Sequence, residues 1–429
     1  MFKLKAHFTT PSVELSAGLA TFLSMAYVMA VNPLILSEAG MPKDAVFTAT
    51  VLAVIAATLI MCFVANLPFA VAPGMGLNAY FVSLVTGQGL TVSQALTAVF
   101  VSGVIFVALS LSPAREKVLR EVPESMRIAV AAGIGIMIAH IGLFNSGILT
   151  PSPPLGQYTM GAITAGAPLL AVIGVLITGI LLAMKVRFAL LLGIILATLI
   201  GIPMGVTPID SLQGGIVKLP PSISPIFVSF DFSALATGAF WGIVLALVFM
   251  EVFDGLAGFL GLFTVMGKQE AERYRYKLGK AFIADSIGVV AGAVLGTSPN
   301  TTYAESGAGV AQGGRTGLTA LTVAILFALC LLISPLFLTI PPSAVASALV
   351  LVGLYMLSSI KDLKFDDITE SFPAFVIIAL IAFSLKLSDS MAVGWILYIL
   401  MKLLAGRSKE VTATVWIVGA LFLAKEIFG

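Results

Sequence analysis

The sequence predicts an all-α polytopic membrane protein with fourteen transmembrane segments, arranged as a seven-plus-seven inverted repeat in which two spans are broken. Three observations lead there. The chain has 429 residues, 59% hydrophobic and 10% charged, with a mean hydropathy of +1.09. That is too little charge to cover a water-facing surface of this size. Apolar runs of about 18–25 residues, the length that crosses a bilayer, recur from end to end. The two halves also resemble each other. The formal net charge of +2 singles out no partner and gives no sign of nucleic acid.

The first seven segments are expected at 15–36, 44–66, 74–87, 92–111, 124–143, 165–185 and 188–206. The second seven are expected at 235–262, 279–296, 303–314, 316–338, 343–360, 370–386 and 389–405. A last apolar stretch, 411–427, is either an extra span or a helix lying in the interface. The longest loops, 144–164 and 207–234, are rich in Pro, Gly and Ser, and no long soluble domain is present. The N-terminal tail has lysines but no small-x-small site after a short apolar core, so it is expected to be retained. Trp241 and Trp395 read as interfacial anchors, and His140 as a packed, hydrogen-bonded histidine. Cys62 and Cys330 fall in apolar spans, which suggests neither a disulfide nor a zinc site. With no HExxH, P-loop, GxSxG or metal-spaced Cys/His set, neither enzyme activity nor a metal or cofactor is expected.

The charges give the orientation. With a cytoplasmic N-terminus, only Lys43, Lys218 and Lys386 of the 23 basic residues fall outside, and Lys425 depends on the last segment. This is a positive-inside pattern, and a miscounted early span would scramble it. The repeat shows in "VPESMRIAVAAGIGIMIAHIGL" (122–143) and "IPPSAVASALVLVGLYMLSSI" (340–360), each with proline, then serine two residues on, then a small-residue helix. Likewise "VAPGMGLNAY" (71–80) and "TSPNTTYAES" (297–306) occupy the third span of each half. Seven spans per half make the second copy inverted, which is a transporter signature. Chance likeness between apolar segments is the competing explanation.

Both third spans are too short to cross alone. Each opens with an extended-looking segment, and Pro73 and Pro299 bar helix from running back through it. Non-helical backbone at membrane depth is tolerated where protein buries it or where it lines a cavity. Two half-helices starting near the midplane would aim positive dipole ends at the centre. Gly74, Gly76, Gly307 and Gly309 permit close approach there. Four acids lie within spans: Glu251, Asp254, Asp285 and Glu305. A charge at the bilayer centre is costly, so such acids are functional candidates. Glu251 and Asp254, three apart, share a helix face. The plainer alternative is that these acids cap or brace helices, most readily for Asp254 and Asp285, which lie nearer the span ends. Asn78 could meet a ligand edge or make an interhelical bond.

The chain resembles the AzgA-like purine transporters of the nucleobase:cation symporter-2 family. The likeness runs from "TFLSMAYVMAVNPLIL" (21–36) through "APGMGLNAYF" (72–81) to "GTSPNTTYAESGAGVAQGGRTGLTA" (296–320). It implies that the extended segments of spans 3 and 10 are short crossing strands. It implies a core domain made of 1–111 and 207–338, and a gate domain made of 112–206 and 339–429, the latter including the C-terminal helix. It further implies a homodimer through the gate and an elevator movement of core against gate. The purine-reading acids map to Glu251 and Glu305, the polar residue of the third half-helix to Asn78, and the second eighth-span acid to Asp254. One departure stands out: the family usually reads Asp-Leu-Phe-Asp followed by Thr-x-Gly-Thr, where this chain has "EVFDGLAG".

A nucleobase is flat and edged with N–H donors, which a carboxylate can accept. The candidate substrate set is Glu251, Glu305, Asn78, Gly76, Thr302 and Tyr303, with Phe249 and Phe22 as further stacking partners. Two acids in one low-dielectric site do not both stay ionised. A carboxyl that loads a proton outside and releases it inside would couple transport to the proton gradient. The coupling candidates are Glu251, Asp254, Glu305 and Asp285. The expected activity is import of adenine, guanine or hypoxanthine by proton symport across the cell membrane. The alternatives are carriage of xanthine or uracil, or an anion exchanger or channel of the same fold. The latter would be expected to place a cation, rather than Glu305, at the half-helix termini.

Overall fold

The computed structural model describes residues 2–112, 121–152, 157–186, 188–212, 215–384 and 386–428. Arg115, Lys117, Arg120 and Arg187, which count toward the charge asymmetry, lie outside the described residues. The protein is a mostly helical, multi-pass membrane protein. Among the described residues ten helices are long and apolar enough to cross a bilayer.

Helices α1 (Pro11–Met25) and α2 (Val28–Ser37) are separated by a break at Ala26 and Tyr27. The Thr10 side chain caps α1, and proline fills its first position, where a missing N–H costs nothing. Helix α3 (Lys43–Ile60) runs into a π-turn at Met61–Ala65 and is followed by strand β1 (Val71–Pro73) and the short α4 (Met75–Thr86). Helix α5 (Val92–Leu111) opens with a capping box between Thr91 and Gln94. Helix α6 (Glu124–Asn145), strands β2 (Leu149–Ser152) and β3 (Gln157–Met160), and helices α7 (Gly166–Ala183) and α8 (Ala189–Gly201) complete the first half.

The second half begins with the 29-residue α9 (Gly238–Met266), capped by Thr237. It continues through α10 (Lys268–Tyr274), α11 (Leu278–Leu295), β4 (Asn300–Thr302), α12 (Gly307–Ala311), α13 (Gly317–Cys330) and α14 (Ser334–Leu338). Helices α15 (Pro342–Leu357), α16 (Ile368–Ser384), α17 (Leu387–Leu404) and α18 (Ala413–Phe428) follow.

The short crossing strands expected in spans 3 and 10 are present, and one further pair of strands departs from the all-α expectation. Strands β1 and β4 pair antiparallel, Val71 with Thr302, Ala72 with Thr301 and Pro73 with Asn300. The loop expected at 144–164 contains a second antiparallel pair, β2 with β3, where Thr150, Tyr158 and Thr159 favour extended backbone. The helix expected at 303–314 is also shorter: a turn at Ala304–Ser306 leads into the five-residue α12. Gly313, at φ +97°, closes that segment in a conformation other residues rarely adopt.

The β1–β4 crossing is held from every side. Thr58 of α3 donates to the Val71 carbonyl at 3.1 Å and accepts from its N–H at 3.0 Å. Asn300 donates to the Gly288 carbonyl of α11 at 2.8 Å. Such ties satisfy backbone that lipid could not. Around this centre, α6 packs on α15 and α16, while α11 packs on α3 and α5 and α1 packs on α13. Helices α6 and α15 nearly touch: a Cβ on Gly135 would lie 2.7 Å from the Gly353 carbonyl oxygen, and one on Gly353 would lie 2.5 Å from that of Gly135. Small residues permit such close crossings.

Trp395 is fully buried against Phe249 of α9 and Phe422 of α18, so it is no interfacial anchor. Trp241 is 48% exposed and donates its N–H to the Leu235 carbonyl. His140 packs on Phe144 and Tyr158, but neither ring nitrogen has a hydrogen-bond partner.

Candidate substrate site

Helix α9 supplies Glu251 and Asp254. Glu251 is 1% exposed; its Oε1 accepts from Ser102 Oγ of α5 at 2.7 Å, and its Oε2 has no partner. Asp254 keeps an accessible surface although it lies among interior acids. Helix α11 supplies Asp285, fully buried, whose Oδ1 accepts from Thr302 Oγ1 at 2.8 Å and whose Oδ2 is left unpartnered. The segment after β4 supplies Tyr303 and Glu305. The Tyr303 hydroxyl donates to the Pro73 carbonyl at 2.6 Å, stapling the entry of α4. Glu305 is partly accessible, and its Oε1 accepts from the Tyr27 hydroxyl at 2.5 Å. The acids form a run of neighbours, Glu251 beside Asp285, and Asp254 beside both Asp285 and Glu305. Tyr355 of α15, 52% exposed, lies within electrostatic range of Glu305.

Close packing on α9 brings these groups together. A Cβ on Gly255 would meet Asp285 Oδ2 at 2.6 Å, and one on Gly258 would meet the Thr302 carbonyl at 2.9 Å. These are the two positions of the "EVFDGLAG" stretch where the motif of the resembled family would carry threonine. Glycine there lets α11 and β4 approach the helix backbone, and it leaves Asp285 Oδ2 without a hydroxyl neighbour.

The expected residues divide into two groups. Asp254, Asp285, Thr302, Tyr303 and Glu305 gather at the strand crossing. The others are engaged with the protein itself: Glu251 faces Ser102, and fully buried Asn78 accepts from Ser298 in the lead into β4, its amide nearest the Met75 sulfur at 3.8 Å. Gly76 abuts Ile134, Phe249 meets Phe253 at a tilt of 45° and Trp395 edge-to-face, and Phe22 meets the edge of Phe327. Three contributors were not foreseen: Tyr27, Ser102 and Tyr355. Tyr27 lies inside the 21–36 motif, which was the one sequence signal available for it. Glu14 also escaped notice. Fully buried, it accepts from the N–H groups of Arg315, Thr316 and Thr319 and so caps α13. Of the gathered acids, Asp254 and Glu305 keep accessible surface, which suits a ligand edged with N–H donors.

A family model described as a permease family matches residues 12–393. The chain belongs to this permease family. The permease is 35% identical to the adenine permease AdeP of Escherichia coli K12, over all of this chain and 95% of that protein. It is 36% identical to the guanine/hypoxanthine permease PbuO of Bacillus subtilis 168, over 98% of each. It is 32% identical to the nucleobase transporter PlAzg2 of Paenibacillus larvae, over 90% of this chain and 76% of that one. The resemblance to AzgA-like transporters therefore holds. Among solved structures, the permease shares its fold with the transmembrane domain of the cyanobacterial bicarbonate transporter BicA (TM-score 0.63, 16% identity, 89% of this chain and 97% of that one). It also shares it with murine Slc26a9 in the inward-facing state (TM-score 0.65, 14% identity, 92% and 68%).

Proposed function

We propose that this permease imports a purine nucleobase (adenine, guanine or hypoxanthine) by proton symport. The carrying observation is the accessible pair of carboxyl groups, Asp254 and Glu305, beside two half-helices whose entries are pinned by paired strands. Full-length relatives named as adenine and guanine/hypoxanthine permeases support the same reading. A base N–H meets Glu305 or Asp254, and protons pass among the four neighbouring acids.

The same reading takes the chain as fourteen spans in two inverted sets of seven. Two features support it: the reciprocal Gly135–Gly353 contact and the antiparallel register of β1 with β4 are what a two-fold axis between halves would give. The core is 1–111 with 207–338, the gate is 112–206 with 339–429, and the core travels against a gate that dimerises. The N-terminus is cytoplasmic. Anion exchange is the weaker reading, because the accessible groups are acids and a likeness at 14–16% identity to anion carriers speaks for fold alone.

Radiolabelled uptake of adenine, guanine, hypoxanthine, xanthine and uracil, with and without a proton uncoupler, tests the proposal. Saturable purine uptake that collapses with the gradient is expected. Uptake that needs sodium and ignores the uncoupler ends the proton claim, and uptake of uracil alone ends the purine claim.

A further inference from the structure

We propose that Tyr27 is the positioning residue for Glu305: its hydroxyl fixes one carboxyl oxygen and leaves the other to the ligand. Glu305 sits on a three-residue turn between a three-residue strand and a five-residue helix. Such backbone gives little support to a side chain with three rotatable bonds. Tyr27 stands at the break between α1 and α2, 278 residues away, is only 2% exposed, and reaches Glu305 Oε1 at 2.5 Å. A donor this close to a carboxylate makes a strong bond.

The same motif grips the segment a second time. Asn32 Nδ2 donates to Thr297 Oγ1 at 3.0 Å and to Thr50 Oγ1 at 2.7 Å. The 21–36 stretch therefore holds both the lead into β4 and the acid beyond it. Glu305 thus offers the ligand one acceptor, Oε2, its other oxygen already being engaged. A second N–H donor of the ligand finds its acceptor elsewhere.

The inference rests on the nucleobase reading only through the ligand used to test it. The experiment is a four-protein set: wild type, Tyr27→Phe, Glu305→Gln and the double variant, each titrated with adenine and guanine after purification. Tyr27→Phe should weaken binding about three- to tenfold, as loss of one buried hydrogen bond does. In Glu305→Gln the phenol pins the amide oxygen and turns the NH₂ donor toward the base. Adding Tyr27→Phe frees the amide to rotate, so the double variant should bind at least as tightly as Glu305→Gln alone.

A tyrosine that merely packs would give losses that multiply. Multiplied losses, or wild-type affinity in Tyr27→Phe, overturn the assignment. If wild type binds neither purine, the nucleobase reading fails, and unliganded Tm then tests Tyr27. Tyr27→Phe should lower Tm in wild type and no further once Glu305→Leu has removed the acceptor; independent lowering overturns the inference.

Discussion

At the scale of single residues, the acids divide by what their oxygens already do. Glu305 has one oxygen engaged by Tyr27 and remains partly accessible, whereas Glu251 is sealed against Ser102 with its second oxygen unpaired. The two should therefore fail differently. Glu305→Gln sets an NH₂ group against a ligand donor, and purine affinity should fall at least about tenfold, since about 1.4 kcal/mol is one decade. Folding should survive, because removing a buried charge also removes its desolvation cost. Glu251→Gln should keep binding and lose gradient-driven accumulation. Binding isotherms and uptake on both variants check this, and wild-type affinity in Glu305→Gln would make its carboxylate structural. Sequence could place all four acids, because a carboxylate in an apolar run is conspicuous. It could not place Tyr27 or Ser102, because a tyrosine or serine within a span looks ordinary until its partner, 278 or 149 residues on, is known.

At the scale of elements, the crossing strands depend on what α9 lacks. A methyl at position 258 would press on the Thr302 carbonyl, which is strand backbone, whereas one at 255 would press on the movable end of Asp285. Gly258→Ala should therefore cost about 1–3 kcal/mol as overpacking, and Gly255→Ala less. Thermal unfolding should show the larger drop for Gly258→Ala; the reverse order would mean that β4 is not seated on α9.

A second contact joins elements at the end of α2, where Glu38 accepts from Asn145 at the end of α6. Although the residue as a whole is accessible, loss of water around its carboxyl pushes the Glu38 pKa up to about 7, against the lowering effect of the Asn145 bond. With the folded value raised, its stabilisation is complete below about pH 4.5 and is lost as pH rises through about 7. Tm should fall between about pH 5 and about pH 8, and Glu38→Gln should flatten that slope. A wild-type Tm that stays level there sinks the assignment. Helix positions were legible because apolar length announces them, and ends such as 92–111 match to the residue. The β2–β3 hairpin was not, since its cue of Thr and Tyr alternation is short and set among Pro and Gly. Trp395 was misplaced because a tryptophan in an apolar span looks the same from sequence whether it faces headgroups or another helix.

At the scale of the whole molecule, the proposed orientation can be tested at exposed or partly exposed positions. Cysteines replacing Glu270 and Asp362 should be labelled from the cytoplasm only, and one replacing Leu219, which is 86% exposed, from outside only. Leu219 is a better site than Gly215, whose φ of +106° would strain any side chain. Outside labelling at 270 would reverse α9 and break the inverted repeat.

The C-terminal helix adds something of a different kind. It packs on both α9 and α17, and its start is held by Glu121, which accepts from the Thr414 N–H at 3.0 Å and hydroxyl at 2.5 Å, while Lys402 of α17 binds Glu370 and Glu410 at 2.7 Å each. Between the three helices Trp395 is boxed by Phe249 and Phe422, its N–H unpaired, while the other two tryptophans, Trp241 and Trp416, are about half exposed. The molecule thus carries a built-in optical gauge. One indole in three emits from a dry aromatic box whose walls belong to helices on both sides of the proposed sliding boundary, and any stroke of α9 past α17 must open that box and change its colour.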